Sequence, residues 1–489
     1  MVNSAAKKLE KELIEIVEVP KDDVNWSSVS LSEVIYKGKR LESSYYGIEY
    51  KRIIKTIQNS KYGYSNLQGS KNGIINSYRP GIIKRIFVEP IDNSIPMLVP
   101  SQVQDIYPKA EKYLSKLMID KIKDWFVKEN EILLTCSGTI GNVTLVTETL
   151  KNKCVSQNLI RIICRDEFYG YVYAFLKSEY GQVQLKNNNY GAVIKHIDPS
   201  HLDNVIIPNA PEKIKVIINK LIIDSYINRD KSNYLIDKAT NIMIDELGLP
   251  PIEDLKKEAF SHSKDVNSFS TKLSNLNGRL EGNYHLPLVE VIEKYSSKNA
   301  NLIKLNSEKI TEKIILPARF KRVYLEKGNG KIFLGGKEIG QLDPSGKKFL
   351  SIKHYSDKLI GDITIKRNDI LVTRSGTVGK VMMAPKHWEN WVSSDHVIRI
   401  LSKELYHGLA FIWLSSEYGK ELIERQIYGS VVNEITDEQL GDVVIPIFKD
   451  NKINTSILNL IDEANELRYQ AYKQEQEAIN IMNKEVLGL

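Results

Sequence analysis

Residues 132–142 read ILLTCSGTIGN, and residues 370–380 read ILVTRSGTVGK. The copies stand 238 residues apart, close to half of the 489-residue chain. Other stretches keep that offset. SQNLIRI (156–162) pairs with SDHVIRI (394–400), and YAFLKSEYGQ (173–182) with FIWLSSEYGK (411–420). YGAVIKHIDPSHLDNVIIP (190–208) pairs with YGSVVNEITDEQLGDVVIP (428–446). Three further pairs drift by one or two residues: KRLESSYY (39–46) with GRLEGNYH (278–285), IKRIFVE (83–89) with FKRVYLE (320–326), and DKATNIMIDELGL (237–249) with QEAINIMNKEVLGL (476–489). An offset this constant over so long a span marks one structural unit present twice.

Each unit divides into two physically different parts. Residues 40–210 and 279–447 mix short β-branched runs such as EILLTCSG, NLIRIIC and DNVIIP with turn residues, which predicts strands. Within the first of them, EFYGYVYAFLKSEYGQVQL (167–185) carries aromatic and aliphatic residues three to four apart and predicts one helix. The second part, 211–249 and 448–489, predicts a long helix. From Lys213 to Leu247 there is no proline or glycine, and Ile214, Ile217, Ile218, Leu221 and Ile222 recur at helical spacing. Gly248 and the Pro250–Pro251 pair form a stop signal. At 1.5 Å per residue such a helix extends about 50 Å. Residues 1–39 read as an N-terminal helix and lead-in, and 250–278 as a linker.

A helix of that length with one apolar stripe must bury it. Two arrangements do so: the two helices pack antiparallel on each other, or each folds back on its own domain. The polar interruptions Asp224, Asn228 and Asn465 suit a coiled coil better than a core helix. The fold class expected is therefore α+β: two repeated α/β domains separated by two long antiparallel coiled-coil helices, pseudo-twofold, with a globular domain at each end of a rod.

Composition is that of an ordinary soluble protein, with 42% hydrophobic and 26% charged residues, and no apolar run reaches the roughly 18 residues of a membrane span. The first twenty residues are charged throughout and lack a signal core, so a cytoplasmic location is expected. Cys136, Cys154 and Cys164 have no metal-ligand or disulfide spacing. The net charge of +7 permits a polyanionic partner without demanding one. A motor is excluded by the lack of GxxxxGK[ST]: Arg374 stands where that loop needs its first glycine. An asparagine–proline–proline–aromatic tetrapeptide, a GxGxxG turn and an HExxH pair are also missing, so no catalytic residue or metal ligand is expected.

The ordered motifs RLESSYY, KRIFV, ILLTCSGTIGN, SQNLIRI and YGAVIKHIDPSHLDNVIIP, their second set, and the helical spacers resemble the specificity subunit of Type I restriction–modification systems. The resemblance covers nearly the whole chain. It implies two target-recognition domains, each reading half of a split double-stranded DNA site, with the helices as a ruler. It implies that methyltransferase subunits dock on those helices, with Ile217, Leu221, Leu235, Ile242, Leu460 and Leu467 as candidate contacts. S-adenosylmethionine is then expected in that partner and no cofactor in this chain. A restriction–translocase subunit completes the prokaryotic complex. The rival classes are a structural adaptor that reads no DNA and a self-sufficient nuclease, against which the lack of an acidic cluster counts.

Candidate DNA contacts fall on the shared motifs. Gly138 and Gly141 permit a tight reversal, and Ser137, Thr139, Ser375 and Thr377 can either satisfy turn amides or approach phosphate. Arg374 and Lys380 flank the second copy, but Cys136 and Asn142 take those places in the first. Arg79, Lys84 and Arg85, with Arg319, Lys321 and Arg322, form paired cationic strand edges. Lys195, Tyr190 and Tyr428 complete the set; each tyrosine precedes a glycine and either stacks or caps the core. Base reading belongs where the copies diverge, as at 61–66, 187–190 and 328–331.

Overall fold

The computed structural model describes residues 28–36, 41, 46–68, 73–90, 93–165, 167–187, 189, 195–263, 266–276, 278–429 and 431–488. The duplicated segments fold alike. In the first domain one antiparallel sheet has the strand order Ile74–Tyr78, Leu159–Cys164, Ile132–Thr135, Val143–Leu145. In the second, the order Thr311–Ile315, Val397–Ser402, Ile370–Thr373, Val381–Met383 repeats it. The register repeats too: Ile132 faces Ile162 and Ile370 faces Ile400. Even the bulge recurs, between Ile74 and Asn76 and between Thr311 and Lys313. A smaller sheet in each domain closes with a parallel pair, Met97–Leu98 on Cys154–Val155 and Phe333–Leu334 on Val392–Ser393.

Where the sequence predicts a single helix over 167–185, the structure has two, Tyr169–Lys177 and Glu179–Asn187. Ser178 is extended between them, and its hydroxyl accepts from Gly181 N at 3.3 Å. A Cβ on Gly181 would lie 2.2 Å from Phe175 O, so only glycine allows this corner. Ser416 and Gly419 build the same corner in the second domain. The shared S-E-Y-G string is thus an N-cap followed by a close approach of backbone, a tertiary demand that helical spacing does not reveal.

The first spacer helix runs Glu212–Leu247 and ends on Gly248 at φ 65°, the left-handed stop its sequence predicts. The second runs Asn451–Ile481 and finishes in a π turn, Met482–Val486, where the sequence predicts one long helix within 448–489. They pack antiparallel. Ile218 and Ile222 share a core with Ala478 and Met482, whereas Ala239 and Met243 share one with Ile457 and Ile461. Buried positions advance in alternating steps of three and four: Ile457, Ile461, Ala464, Arg468, Ala471, Glu475, Ala478. That is the heptad seam of a coiled coil.

Each domain core is sealed by both helices. Tyr171, Tyr173 and Phe175 of the first domain pack with the start of the first helix and the end of the second. Leu409, Phe411 and Trp413 of the second domain meet the opposite ends. The domains do not merely cap a rod; they also touch. Ile106 N donates to Gly340 O at 2.8 Å, Lys380 Nζ pairs with Asp105 at 2.7 Å, and Lys327 pairs with Glu179 at 3.1 Å.

Candidate nucleic-acid interface

The SGT stretch folds as a strand, a turn and a returning strand, and a threonine before it holds the turn. Thr135 Oγ1 accepts from Asn142 N at 2.9 Å and donates to Thr139 O at 2.6 Å. Thr373 does the same to Lys380 N at 2.9 Å and Thr377 O at 2.5 Å. Gly138 and Gly376 sit at φ 74° and 75°, Gly141 and Gly379 at 95° and 84°. These conformations favour glycine. The Gly138 amide donates to Lys195 O and the Gly376 amide to Asn433 O, both at 3.2 Å. Those two amides therefore zip the turn to the next motif instead of facing an anion.

Around that turn the shared motifs converge. Asn158 O accepts from Cys136 N at 3.3 Å, and His396 O from Arg374 N at 3.0 Å. Asn158 N and His396 N each donate to a serine two residues back, Ser156 Oγ at 3.3 Å and Ser394 Oγ at 3.1 Å. Those serines in turn accept from the cationic edge, Arg85 at 3.5 Å and Arg322 at 3.1 Å. The cations expected on strand edges lie instead in irregular chain before the short strands Phe87–Val88 and Tyr324–Leu325. That segment, the SQN or SDH loop, the SGT turn and the segment at 195–197 or 433–435 form one surface per domain. Arg161, wholly buried, clamps the SQN loop from inside by donating to Val155 O, Ser156 O and Leu159 O.

The predicted cations separate into two groups. Arg79 is spent on Asp198 at 3.3 Å and on Gln157 O at 3.2 Å. Arg374 is spent on Glu434 at 2.8 Å and is largely buried. Lys380 bridges to Asp105 of the other domain, and burial pushes the Asp105 carboxyl up despite that lysine. Arg322 pairs with Asp395; burial opposes the charge, yet the bond to Arg322 holds this carboxyl below its ordinary range. These four read as structural ties, not free phosphate contacts. Lys84, Lys195, Arg319 and Lys321 remain exposed, as do the Thr139 and Thr377 side chains. Ser137 is half-buried, and the Ser375 hydroxyl shares a 2.7 Å bond with His396 Nδ1. Tyr428 pairs through its backbone with Glu434, while Tyr190 lies outside the described residues.

The helix candidates also separate. Leu235 is buried in the second domain's core, and Ile242, Leu460 and Leu467 pack on the same core, with Leu221 on the first. Leu235 is therefore withdrawn from any docking surface, because the domain it supports covers it. Ile217 is exposed, and Val216, Ile227 and Tyr234 join it as exposed apolar residues of the same helix, which periodicity alone did not separate from the seam. Asn158 and His396 were likewise missed. Their signal was present as one of two polar mismatches inside SQNLIRI and SDHVIRI, the other being Gln157 against Asp395.

A doubled α/β domain on an antiparallel coiled coil, with one motif cluster per domain, defines a two-headed scaffold. Residues 25–233 and 325–476 match the family model described as the Type I restriction modification DNA specificity domain, and the chain belongs to that family. No curated protein matches the chain. Solved structures that match include the Type-I restriction-modification system S subunit from M. genitalium, at 14% identity over 88% of this chain and 96% of that one, TM-score 0.28. The HsdS subunit from Thermoanaerobacter tengcongensis matches at 14% identity over 87% and 96%, TM-score 0.26. A structure titled as the basis of complex assembly and conformational transition of the type I R-M system matches at 15% over 83% and 96%, TM-score 0.26. Among the described residues, no helix is long and apolar enough to cross a membrane.

Proposed function

We propose that this chain is the DNA sequence-recognition subunit of a Type I restriction–modification complex in a prokaryotic cytoplasm. Each domain reads one half of a bipartite double-stranded target, and the helix pair sets the spacing between the halves. Methyltransferase subunits, which carry S-adenosylmethionine and perform the chemistry, dock on the helices, where Val216, Ile217, Ile227 and Tyr234 offer an exposed apolar face. A restriction–translocase subunit joins the same assembly. The observation that carries this reading is the repetition of one motif cluster in two domains related by an antiparallel helix pair. A single duplex with two asymmetric half-sites needs such a reader.

Sequencing of methylated positions in DNA from cells carrying the chain with its methyltransferase tests it. A split methylated motif is expected, and exchange of residues 40–210 for another member's domain is expected to alter one half alone. Change in both halves, or in neither, refutes the modular reading. Binding of the reconstituted complex to DNA should weaken steeply with salt; binding to no DNA at all would point to a structural adaptor.

A further inference from the structure

We infer that Asn158 and His396 are equivalent base-reading residues, one for each half of the target; this rests on the DNA-recognition reading above. The two stand 238 residues apart, and their backbones are held identically. In each, the amide donates to the serine two residues earlier and the carbonyl accepts from the residue that opens the SGT turn. Around them the cluster keeps its chemistry: Lys84–Arg85 matches Lys321–Arg322, Ser156 matches Ser394, and Ser137–Gly138–Thr139 matches Ser375–Gly376–Thr377. Within the SQN and SDH loops Gln157 and Asp395 also differ, but both are buried; the change that reaches the surface is from the carboxamide of Asn158 to the imidazole of His396.

That pattern discriminates between phosphate and base. Phosphate presents the same chemistry at both half-sites, so a backbone contact retains its residue type, as the exposed Lys84 and Lys321 do. Base edges differ between the halves of an asymmetric site, so the reader must differ. Both side chains are partly exposed, and His396 shows 44% of its surface. Both are also oriented by a neighbour. Arg79 donates to Asn158 Oδ1 at 3.4 Å, and among the described residues no acceptor takes the Asn158 amide protons. Ser375 Oγ bonds His396 Nδ1 at 2.7 Å; with the hydroxyl donating there, Nε2 carries the N–H, 4.0 Å from Asp395 Oδ2. Arg161 locks the loop beneath Asn158 from inside. A carboxamide suits the adjacent donor and acceptor of adenine in the major groove, and an imidazole N–H suits a purine N7 or guanine O6. Arg79 and Ser375 act as positioning residues for the two readers.

The test uses the whole chain with its methyltransferase in cells and maps methylated motifs for wild type, Asn158→His, His396→Asn and Ser375→Ala. Asn158→His should change or relax one base pair in one half-site, and His396→Asn one base pair in the other. Discrimination at that base pair should fall about 5- to 150-fold. Ser375→Ala should relax the His396 half alone, an effect that a purely structural serine would not confine to one half. An unchanged motif with uniformly weaker methylation overturns the inference in favour of a phosphate contact, and so does a change in both halves. If Asn158→His does not assemble, Asn158→Ser asks the same question with a smaller polar side chain. A wild type that methylates no split motif overturns the DNA-recognition reading itself and this inference with it.

Discussion

Two neighbouring sites in the middle of the coiled coil are equivalent in the repeat and resolve the same electrostatic problem differently. Arg229 and Arg468 stand 239 residues apart, on matching seam positions of the two helices. Arg229 meets Glu475 at 3.0 Å, and Lys177 approaches the same carboxylate at 3.6 Å. The Tyr173 hydroxyl also donates to Glu475, and Tyr226 donates to Tyr173 at 3.1 Å. The corresponding positions on the second side hold Ile236, Ser415 and Phe411. Arg468 is consequently buried, among the described residues with only Ser232 Oγ at 2.9 Å and the Met382 sulfur at 3.4 Å as side-chain partners, and burial lowers its pKa to about 10. Duplication preserved the geometry of the seam. It did not preserve the ion pair, because a charge and its counter-charge arise from separate positions that mutate independently.

Removing one member of a buried pair leaves the other uncompensated, whereas replacing a lone buried ion by apolar volume relieves its desolvation. The largest expected effect is therefore for Glu475→Gln, which strands Arg229 and Lys177 and should cost about 3–5 kcal/mol in chemical denaturation. The opposite sign is expected on the other side: Arg468→Met should stabilise by about 1–4 kcal/mol in the same assay. If both substitutions destabilise alike, the two sites are not energetically distinct.

Acid sharpens the contrast. Burial alone would raise the Glu475 carboxyl, but Lys177 and Arg229 outweigh it and hold the pKa at about 2. A folded-state value below the ordinary 4.5 means the stabilisation is complete above 4.5 and is lost as pH falls towards 2. Half-buried His387, stacked on Tyr472 at 3.9 Å and lowered by desolvation to about 4, loses its contribution earlier, between 6.5 and 4. Glu475→Gln should flatten the lower window of a stability–pH curve and leave the upper one in place.

Smaller effects belong to the domains. A double-mutant cycle on Asp105 and Lys380 should return a coupling of about 0.5–3 kcal/mol, since the pair is partly buried and joins the two domains. A coupling of zero would make their contact incidental. Lys84→Ala and Lys321→Ala should each lower the salt slope of DNA binding by about one, the signature of a phosphate contact. A larger change for one lysine would show that the two cationic edges bear unequally on the duplex.

Much of this was legible in the chain itself. The 238-residue offset, the uninterrupted helical spacing from Lys213 to Leu247 and the Gly248 stop are local patterns. Strands around the SGT stretch were equally plain, because Gly138 and Gly141 permit a turn that most residues resist. The candidate site was legible only in part. Arg79 and Arg374 look like free cations in the sequence, but Asp198 lies 119 positions from the first and Glu434 60 from the second. Which cation is consumed depends on which carboxylate the fold brings beside it.

What the sequence alone determined is the repeat, its α+β class and the seam of the helix pair, because periodicity and glycine placement act within a few residues. Tertiary structure decided the break at Ser178, the contact between the domains and the pairing of Glu475 with Arg229. It also decided that Asn158 and His396 stand at the centre of their clusters. Those outcomes rest on burial and on groups far apart in the chain, where desolvation and close approach decide and local propensity does not.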